Sequence, residues 1–299
     1  MSLRHIQGLV AKQTLTVAEL DAIKGLKAIC DSYEHLHLPI DWNMLHTRRP
    51  GNEVLDFLYY EDGSLVGYLA LDDRGIEEKE FVGMVHPDYR RAGIFSILFA
   101  AARAECRSWG VRRLVAVCER SSVSGQAFIR SLGAALGFSE HHMVLATFQQ
   151  SFAFDERLVF RQAEASDLDT LIAIQAGSFN DSEDHVRRTI TRHLQEPGCR
   201  YYLATFGEEP LGCEEPVGSL RLDESEHEIA IYAFGVLPTY RGRGFGRQIL
   251  EETIRAIRAT STKAITLWVA TNNSAALALY RSCGFQVKTT YDFYYVSTG

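Results

Sequence analysis

Residues 227–250 read HEIAIYAFGVLPTYRGRGFGRQIL and combine a strand pattern, a glycine-rich turn and a helix pattern. A strand-like run (227–236) leads through a turn into a helix-like run (246–260). Gly244 and Gly246, at the mouth of the predicted helix, would let a phosphate group approach the backbone N–H groups closely. The turn also contains three positively charged side chains: Arg241, Arg243 and Arg247. Taken alone, the pattern fits a phosphate site and an ordinary tight turn equally well.

Two other phosphate-binding patterns do not fit this turn. The dinucleotide fingerprint G-x-G-x-x-G requires a third glycine, where this chain has Ile249. The P-loop requires Gly-Lys-Ser/Thr, which is absent from the turn.

The chain also contains an internal repeat. Three separated pairs share one spacing of 151 residues: VGYLALD (66–72) with VGSLRLD (217–223), VHPDYRRAG (85–93) with VLPTYRGRG (236–244), and Gly133 with Gly284. One spacing kept without gaps indicates a tandem duplication. We therefore predict two domains, at 1–150 and 151–299, joined near 148–156.

Each half shows the same coarse order of elements. In the second half we predict helices over 166–179, 182–195, 246–260 and 274–283, and strands that include 264–270 and 288–296. The first half repeats the later part, with a helix over 95–108, but its opening strand is not evident. Strands alternating with helices predict an α/β (or α+β) class.

Two motifs of the second half resemble the GNAT superfamily of acyl-CoA-dependent N-acetyltransferases. The first is Arg241-x-x-Gly244-x-Gly246, and the second is Asn273-x-x-Ala276-x-x-Leu279-Tyr280-x-x-x-Gly284-Phe285. The resemblance spans 157–299 in element order and implies a tandem two-domain member. Each domain is then an acyl-CoA N-acyltransferase fold, a mixed and splayed sheet flanked by helices.

The resemblance also implies where acetyl-CoA would lie as co-substrate. Its thioester would contact a bulged strand at the positions of Phe234, Gly235 and Val236. Its pyrophosphate would lie on the turn formed by Arg241, Gly242, Arg243, Gly244, Phe245, Gly246 and Arg247. The family reaction, direct attack of an amine on the thioester, needs no metal.

Two side chains of the second motif receive roles from the resemblance. Tyr280 matches the general acid that protonates the departing thiolate, with a half-buried aromatic residue as the alternative. Asn273 matches a residue that binds the pantetheine arm, with an N-cap of helix 274–283 as the alternative.

The general base is predicted from strand alternation. A period of two places Glu228, Ala230, Tyr232 and Phe234 on one face of strand 227–236. Glu228 could then deprotonate the incoming amine, directly or through water. Its alternative is an exposed carboxylate at a strand end.

The first half has lost the residues that these roles require. At a spacing of 151, Phe95 replaces Gly246, which puts bulk at the helix mouth, and Ser122 replaces Asn273. Ile129 replaces Tyr280, or Phe128 does if the register slips by one, and neither can donate a proton. We therefore predict that the first half is a degenerate, non-catalytic copy, with residual coenzyme A binding left open.

Composition and charge exclude several classes of partner and site. The net charge is −7, so there is no basic footprint for nucleic acid. No apolar run is long enough to span a membrane, and the N-terminus lacks a signal-peptide pattern. The six cysteines are scattered, which predicts reduced thiols, a cytoplasmic location and no zinc site.

The sequence thus predicts an enzyme that acetylates a primary amine, on a small molecule or a peptide. The alternatives are a non-catalytic acyl-CoA-binding sensor or scaffold and, less well matched, a dinucleotide-binding domain. The acceptor amine and the oligomeric state are left open.

Overall fold

The computed structural model describes residues 6–48, 51, 53–72, 78–148, 155–207 and 214–299. Its packing divides the chain into two units. The first unit contains residues 1–140 and 289–299, and the second contains residues 141–288. The predicted join at 150/151 lies in 149–154, outside the described residues.

The first unit is a mixed sheet flanked by helices. Its strands are β1 (Gly8–Lys12), β2 (Asp56–Glu61), β3 (Ser64–Leu71), β4 (Glu78–Val85) and β5 (Arg113–Glu119). Its helices are α1 (Val17–Glu34), α2 (Trp42–Thr47), α3 (Ile94–Ser108) and α4 (Val123–Ser131). The strands pair in the order β1-β2-β3-β4-β5, antiparallel except for the parallel pair β4–β5.

Both faces of this sheet are covered, because side chains of a strand alternate between faces. On β3, Leu69 and Leu71 join a buried cluster with Leu98 of α3. Tyr68 and Ala70, which alternate with these leucines along the strand, join a different buried cluster that contains residues of α1. Helices α3 and α1 therefore pack on opposite faces.

The second unit repeats this arrangement. Its strands are β7 (Leu158–Gln162), β8 (Cys199–Gly207), β9 (Glu214–Glu224), β10 (Glu228–Val236) and β11 (Ala264–Ala270). Its helices are α5 (Leu168–Phe179), α6 (Glu183–His193), α7 (Phe245–Thr260) and α8 (Ser274–Ser282). The order is β7-β8-β9-β10-β11, with β10–β11 as the parallel pair. The predicted mixed sheet flanked by helices is thus confirmed in each unit.

Two strands have residues in both units: β6 (Ala135–Leu145) and β12 (Phe285–Ser297). The last part of β12 pairs antiparallel with β5, from Tyr291 opposite Glu119 to Ser297 opposite Arg113. The packing units therefore differ from the predicted halves, since residues 289–299 belong to the first. Covering the second edge of β5 satisfies backbone groups that β4 cannot reach.

Several predicted elements match the structure within one or two residues: helix 246–260 is α7, strand 264–270 is β11, helix 274–283 is α8, and helix 95–108 is α3. The strand β1 and the helix α1 were not predicted. No helix among the described residues combines the length and apolar character that crossing a membrane requires.

Candidate active site

Strand β10 contains a bulge. Its antiparallel pairing with β9 stops after Tyr232 and resumes at Gly235, so Ala233 and Phe234 lie opposite a single residue of β9. Ala233 has a φ of +49°, which is unusual for a residue with a Cβ. The bulge turns backbone groups out of the ladder at this point.

The same strand separates from its other neighbour at the bulge. The parallel pairing with β11 covers only Glu228 to Ile231, although β11 continues to Ala270. Backbone N–H and C=O groups after Ile231 therefore have no partner on β11. Such groups need partners when they are not in water, and a ligand in the notch would supply them.

The turn after β10 leads into a helix that no side chain caps. Gly244 is the N-cap of α7, with a φ of +89°, and Gly242 has a φ of +75°. The first amides of an α-helix have no partner within the helix. Gly244 leaves those of Phe245 and Gly246 without a capping side chain. The backbone thus offers N–H donors of the kind that can bind an anion.

The three arginines of the turn have different surroundings. Arg241 donates to the carbonyl oxygens of Val236 (2.9 Å) and Ser178 (2.8 Å). Arg247 donates to the Ser282 hydroxyl (2.6 Å). Arg243 is exposed over a tyrosine ring. Arg241 therefore holds the chain around the turn, a role that its sequence pattern did not reveal.

Tyr280 lies beside the bulged strand. Its ring centroid is 6.4 Å from that of Phe234, and its side chain is 8% exposed. Burial raises the pKa of Tyr280 to about 12, so its hydroxyl keeps its proton at neutral pH. Among the described residues, none forms a hydrogen bond with this hydroxyl. A buried and protonated hydroxyl donor thus lies beside the bulged strand.

Asn273 caps helix α8. Its Oδ1 accepts a hydrogen bond from the backbone N–H of Ala276 at 3.1 Å, so the capping alternative is what the structure shows. Only the oxygen is used in this bond. The rest of the side chain is exposed at the N-terminal end of α8.

Glu228 lies away from these groups. It begins β10, six residues before Phe234, and a strand rise of roughly 3.3 Å per residue puts the two about 20 Å apart. A general base must reach its proton directly or through one water. The structure therefore does not bring Glu228 to the notch, and its direct role as a base is not supported.

The predicted face of β10 is wrong at Phe234. Phe234 packs against the buried cluster that contains Ile229 and Ile231, rather than following Ala230 and Tyr232. The extra residue of the bulge shifts the alternation by one, which a strict period of two cannot anticipate.

Comparison with known proteins identifies the family. Residues 23–134 and 168–285 each match the acetyltransferase (GNAT) family, and together they cover more than half of the chain. The chain belongs to the GNAT family. The predicted family and enzyme class, an acyl-CoA-dependent N-acetyltransferase, are thereby confirmed.

Individual relatives show how far the similarity extends. A mycothiol acetyltransferase from Kineococcus radiotolerans is 26% identical over 292 residues, covering 93% of this chain and 92% of that protein. The N-alpha-acetyltransferase RimI of Mycobacterium tuberculosis is 40% identical over 96 residues, 32% of this chain and 57% of that enzyme. The crystal structure of a GCN5-related N-acetyltransferase from Sphaerobacter thermophilus has a TM-score of 0.79 at 18% identity, covering 97% and 96% of the two chains. The tandem GNAT fold is therefore confirmed.

The first GNAT unit lacks the bulge. Its strand β4 pairs with β3 without interruption, from Leu71 opposite Phe81 to Gly67 opposite Val85. The turn that follows nevertheless keeps its conformation, since Arg91 and Gly93 have φ values of +66° and +81°. A left-handed residue other than glycine costs roughly 1–2 kcal/mol, so Arg91 is held in this conformation by its surroundings.

The sequence predicted that Phe95 would obstruct the helix mouth, and the structure shows that it does not. Its ring lies inside the first unit, with its centroid 4.6 Å from that of Phe128. A Cβ on Gly83 would lie 2.7 Å from the Phe95 ring. The side chain therefore fills space between β4 and α4, which correspond to β10 and α8 of the second unit.

The remaining substitutions follow the predicted register. Ser122 caps α4 through a hydrogen bond from the Gly125 N–H at 3.1 Å, as Asn273 caps α8. Ile129, rather than Phe128, thus occupies the position of Tyr280, and it is buried. A cavity of about 490 Å³ between β4, β5, α3 and α4 remains open.

The described cysteines are free thiols: Cys30, Cys106, Cys118, Cys199 and Cys283. Among the residues that the structure places, no group of three His, Cys, Asp or Glu side chains is arranged to hold a metal ion.

Proposed function

We propose that the second unit transfers an acetyl group from acetyl-CoA to a primary amine, with Tyr280 as general acid. One observation carries the proposal. The bulge and the separated strands occur together in the second unit, and Tyr280 lies against them. The first unit has neither the bulge nor a residue that can donate a proton at the matching position.

The backbone of the second unit fits the two polar parts of acetyl-CoA. We assign the pyrophosphate to the amides from Gly242 to Arg247, where two left-handed glycines precede the uncapped end of α7. We assign the thioester carbonyl to the bulge at Phe234, Gly235 and Val236. Its oxygen gains negative charge when the amine attacks, and fixed N–H donors stabilise that charge without reorganising.

Tyr280 would act on the leaving group. The departing thiolate must be protonated or hydrogen-bonded, and the Tyr280 hydroxyl holds its proton because its pKa is about 12. The desolvation that raises the phenol pKa also raises the basicity of a thiolate in the same notch. Proton donation therefore remains feasible although the phenol is a weak acid.

The acceptor class is a primary amine on a small molecule or a peptide. Relatives include mycothiol acetyltransferases, a RimI N-alpha-acetyltransferase and the [ribosomal protein bS18]-alanine N-acetyltransferase of Escherichia coli. The matches to three mycothiol acetyltransferases cover 91–93% of the chain, whereas those to the RimI enzyme and the Escherichia coli enzyme cover a third of it or less. The acceptor of the mycothiol acetyltransferases is accordingly the first to test.

The test is thiol release from acetyl-CoA with a panel of amines. The panel contains the acceptor of the mycothiol acetyltransferases and a peptide with an N-terminal alanine. We expect Tyr280→Phe to bind acetyl-CoA normally and to release thiol at least about tenfold more slowly. Tyr202→Phe is the control. Tyr202 lies on β8, away from the notch, and its ring centroid is 5.3 Å from that of Phe160, on which it stacks. Equal rates in both variants would remove Tyr280 from the mechanism, and binding without turnover of any amine would favour a sensor.

A further inference from the structure

We propose that Gln175 is a positioning residue for the transfer, because it fixes the bulge of β10 in the shape that receives the thioester. This rests on the function proposed for the second unit. Gln175 lies on α5 and does not reach the reacting atoms, so its effect must pass through the backbone of the bulge.

The carboxamide of Gln175 is bonded at the bulge itself. Its Nε2 donates to the carbonyl oxygen of Ala233 at 2.7 Å and to the hydroxyl of Ser219 at 2.6 Å. The side chain is only 6% exposed. Because a carbonyl oxygen can only accept, the nitrogen must face Ala233, which settles the orientation of the amide. Both hydrogens of the carboxamide are thus used.

The bulge needs such a partner. Ala233 lies between the two runs of β9 pairing, so its carbonyl is outside the regular ladder. Its φ of +49° is unfavourable for alanine and persists only where neighbouring groups hold it. Losing the donor would leave a half-buried carbonyl unpaired and free the bulge to relax toward regular pairing.

The first unit has a bulky residue in place of Ser219 and has no bulge. Tyr68 stands where the second unit has Ser219, 151 positions away. Its fully buried ring packs toward α1, and its hydroxyl donates to Asp56 at 2.6 Å. The corresponding strand β4 has no bulge. The bulge and the small polar residue that receives the glutamine therefore occur together and are lost together.

The end of α5 is docked tightly around this point. A Cβ on Gly235 would lie 2.6 Å from Cβ of Ser178, and a Cβ on Gly177 would lie 3.0 Å from Leu237. Arg241 also donates to the Ser178 carbonyl. With the helix fixed, the Gln175 carboxamide has little freedom, so it can define the position of the Ala233 carbonyl and of the next amides.

Gln175→Met tests the proposal, since methionine keeps the length and removes the donor. Acetyl-CoA and coenzyme A are each titrated into the full chain, because only the former has the carbonyl that the bulge would bind. We expect acetyl-CoA affinity to fall about tenfold and coenzyme A affinity by less than about twofold. Thiol release with the best amine should fall at least about tenfold, since one misplaced donor of this kind costs 10²- to 10³-fold at the extreme.

A second variant provides a signature that a general loss of packing would not produce. In Gln175→Glu the ionised carboxylate repels the Ala233 carbonyl, whereas the protonated acid donates to it. Burial raises the pKa of such a carboxyl group. The turnover of Gln175→Glu relative to wild type should therefore rise as the pH falls from about 8 to about 6.

Leu171→Met is the matched control, because Leu171 is buried on the same helix in a cluster away from the bulge. It should keep turnover and the ratio of the two dissociation constants. Should Gln175→Met not fold, Ser219→Ala, which removes one acceptor of the carboxamide, gives the same readout with a smaller effect. The proposal is overturned if Gln175→Met keeps wild-type turnover and ratio, or loses affinity for both ligands equally. If Tyr280→Phe also has wild-type turnover, the proposed function fails instead.

Discussion

Replacing Gly235 with alanine should destabilise the second unit through one identifiable contact. A Cβ at this position would lie 2.6 Å from Cβ and 2.8 Å from Oγ of Ser178, and 3.1 Å from the ring of Phe179. Favourable contacts between carbon atoms lie at roughly 3.5–4.0 Å, so α5 and β10 must separate by about 1 Å. Overpacking of this kind costs about 1–3 kcal/mol.

Gly246→Ala is the control for this prediction. Its Cβ would lie 3.5 Å from Leu279 and 3.8 Å from Val236, which are ordinary contacts, and Gly246 lies in the first turn of α7. Alanine at a compatible helical position stabilises by about 0.4–1 kcal/mol. Denaturant unfolding of both variants should therefore give changes of opposite sign. Equal stability of Gly235→Ala and wild type would refute the tight docking of α5 on the bulge.

Three further predictions concern α8, Tyr280 and the first unit. Asn273→Ala and Ser122→Ala should each lose about 0.5–2 kcal/mol of helix capping in thermal unfolding, but only Asn273→Ala should weaken binding in a coenzyme A titration. The pKa of Tyr280 is raised to about 12 by burial, so the folded state holds this proton more tightly than the unfolded chain does. Stability from this group is complete below about pH 10 and is lost toward about pH 12, and denaturant unfolding across that range should show a shallower loss in Tyr280→Phe. Gly25→Ala, at an exposed position of α1 with open space around it, should raise stability by about 0.5–1 kcal/mol and leave coenzyme A binding unchanged in the same titration.

The sequence predicted much of the fold because the repeat and the helix signals are local. The helices α3, α7 and α8 and the strand β11 follow from apolar periodicity and from glycines at their ends. The helix α1 was missed although it carries a capping box, in which Thr16 and Glu19 bond each other's backbone N–H groups. The pairing of the last part of β12 with β5 could not be foreseen, since β5 lies about 170 residues earlier in the chain.

The candidate site was predictable where one residue type implies one chemistry. Tyr280 and the glycines of the turn fit this description: Tyr280 lies beside the bulged strand, and Gly242 and Gly244 have the left-handed conformation in the turn that follows. The bulge was not visible in the sequence, because it shifts the relation between the repeats by a single residue. Before the bulge, matching residues of the two units are 150 rather than 151 positions apart. Glu228 is the first residue of β10 that pairs with β11, and Glu78 is the first residue of β4 that pairs with β5.

The structural roles of Arg241 and Gln175 were not predicted from the sequence, for a different reason. The charge of Arg241 predicts a phosphate ligand, yet its guanidinium donates to the carbonyl oxygen of Val236 at the end of the preceding strand. Arg90 donates to the carbonyl oxygen of Val85 in the same way. Gln175 was overlooked within an apolar helix. A polar residue on the buried face of α5 was the one available signal, since such groups require partners.

Calorimetric titration of acetyl-CoA into wild type and Gly246→Phe shows directly whether the second unit holds the cofactor. A phenylalanine at position 246 would fill the space between β10 and α8, as Phe95 fills the matching space in the first unit. We expect wild type to bind one equivalent and Gly246→Phe to lose nearly all of that binding, with thiol release lost in parallel. If Gly246→Phe still binds one equivalent and releases thiol at the wild-type rate, the assignment of the cofactor to the space between β10 and α8 is contradicted.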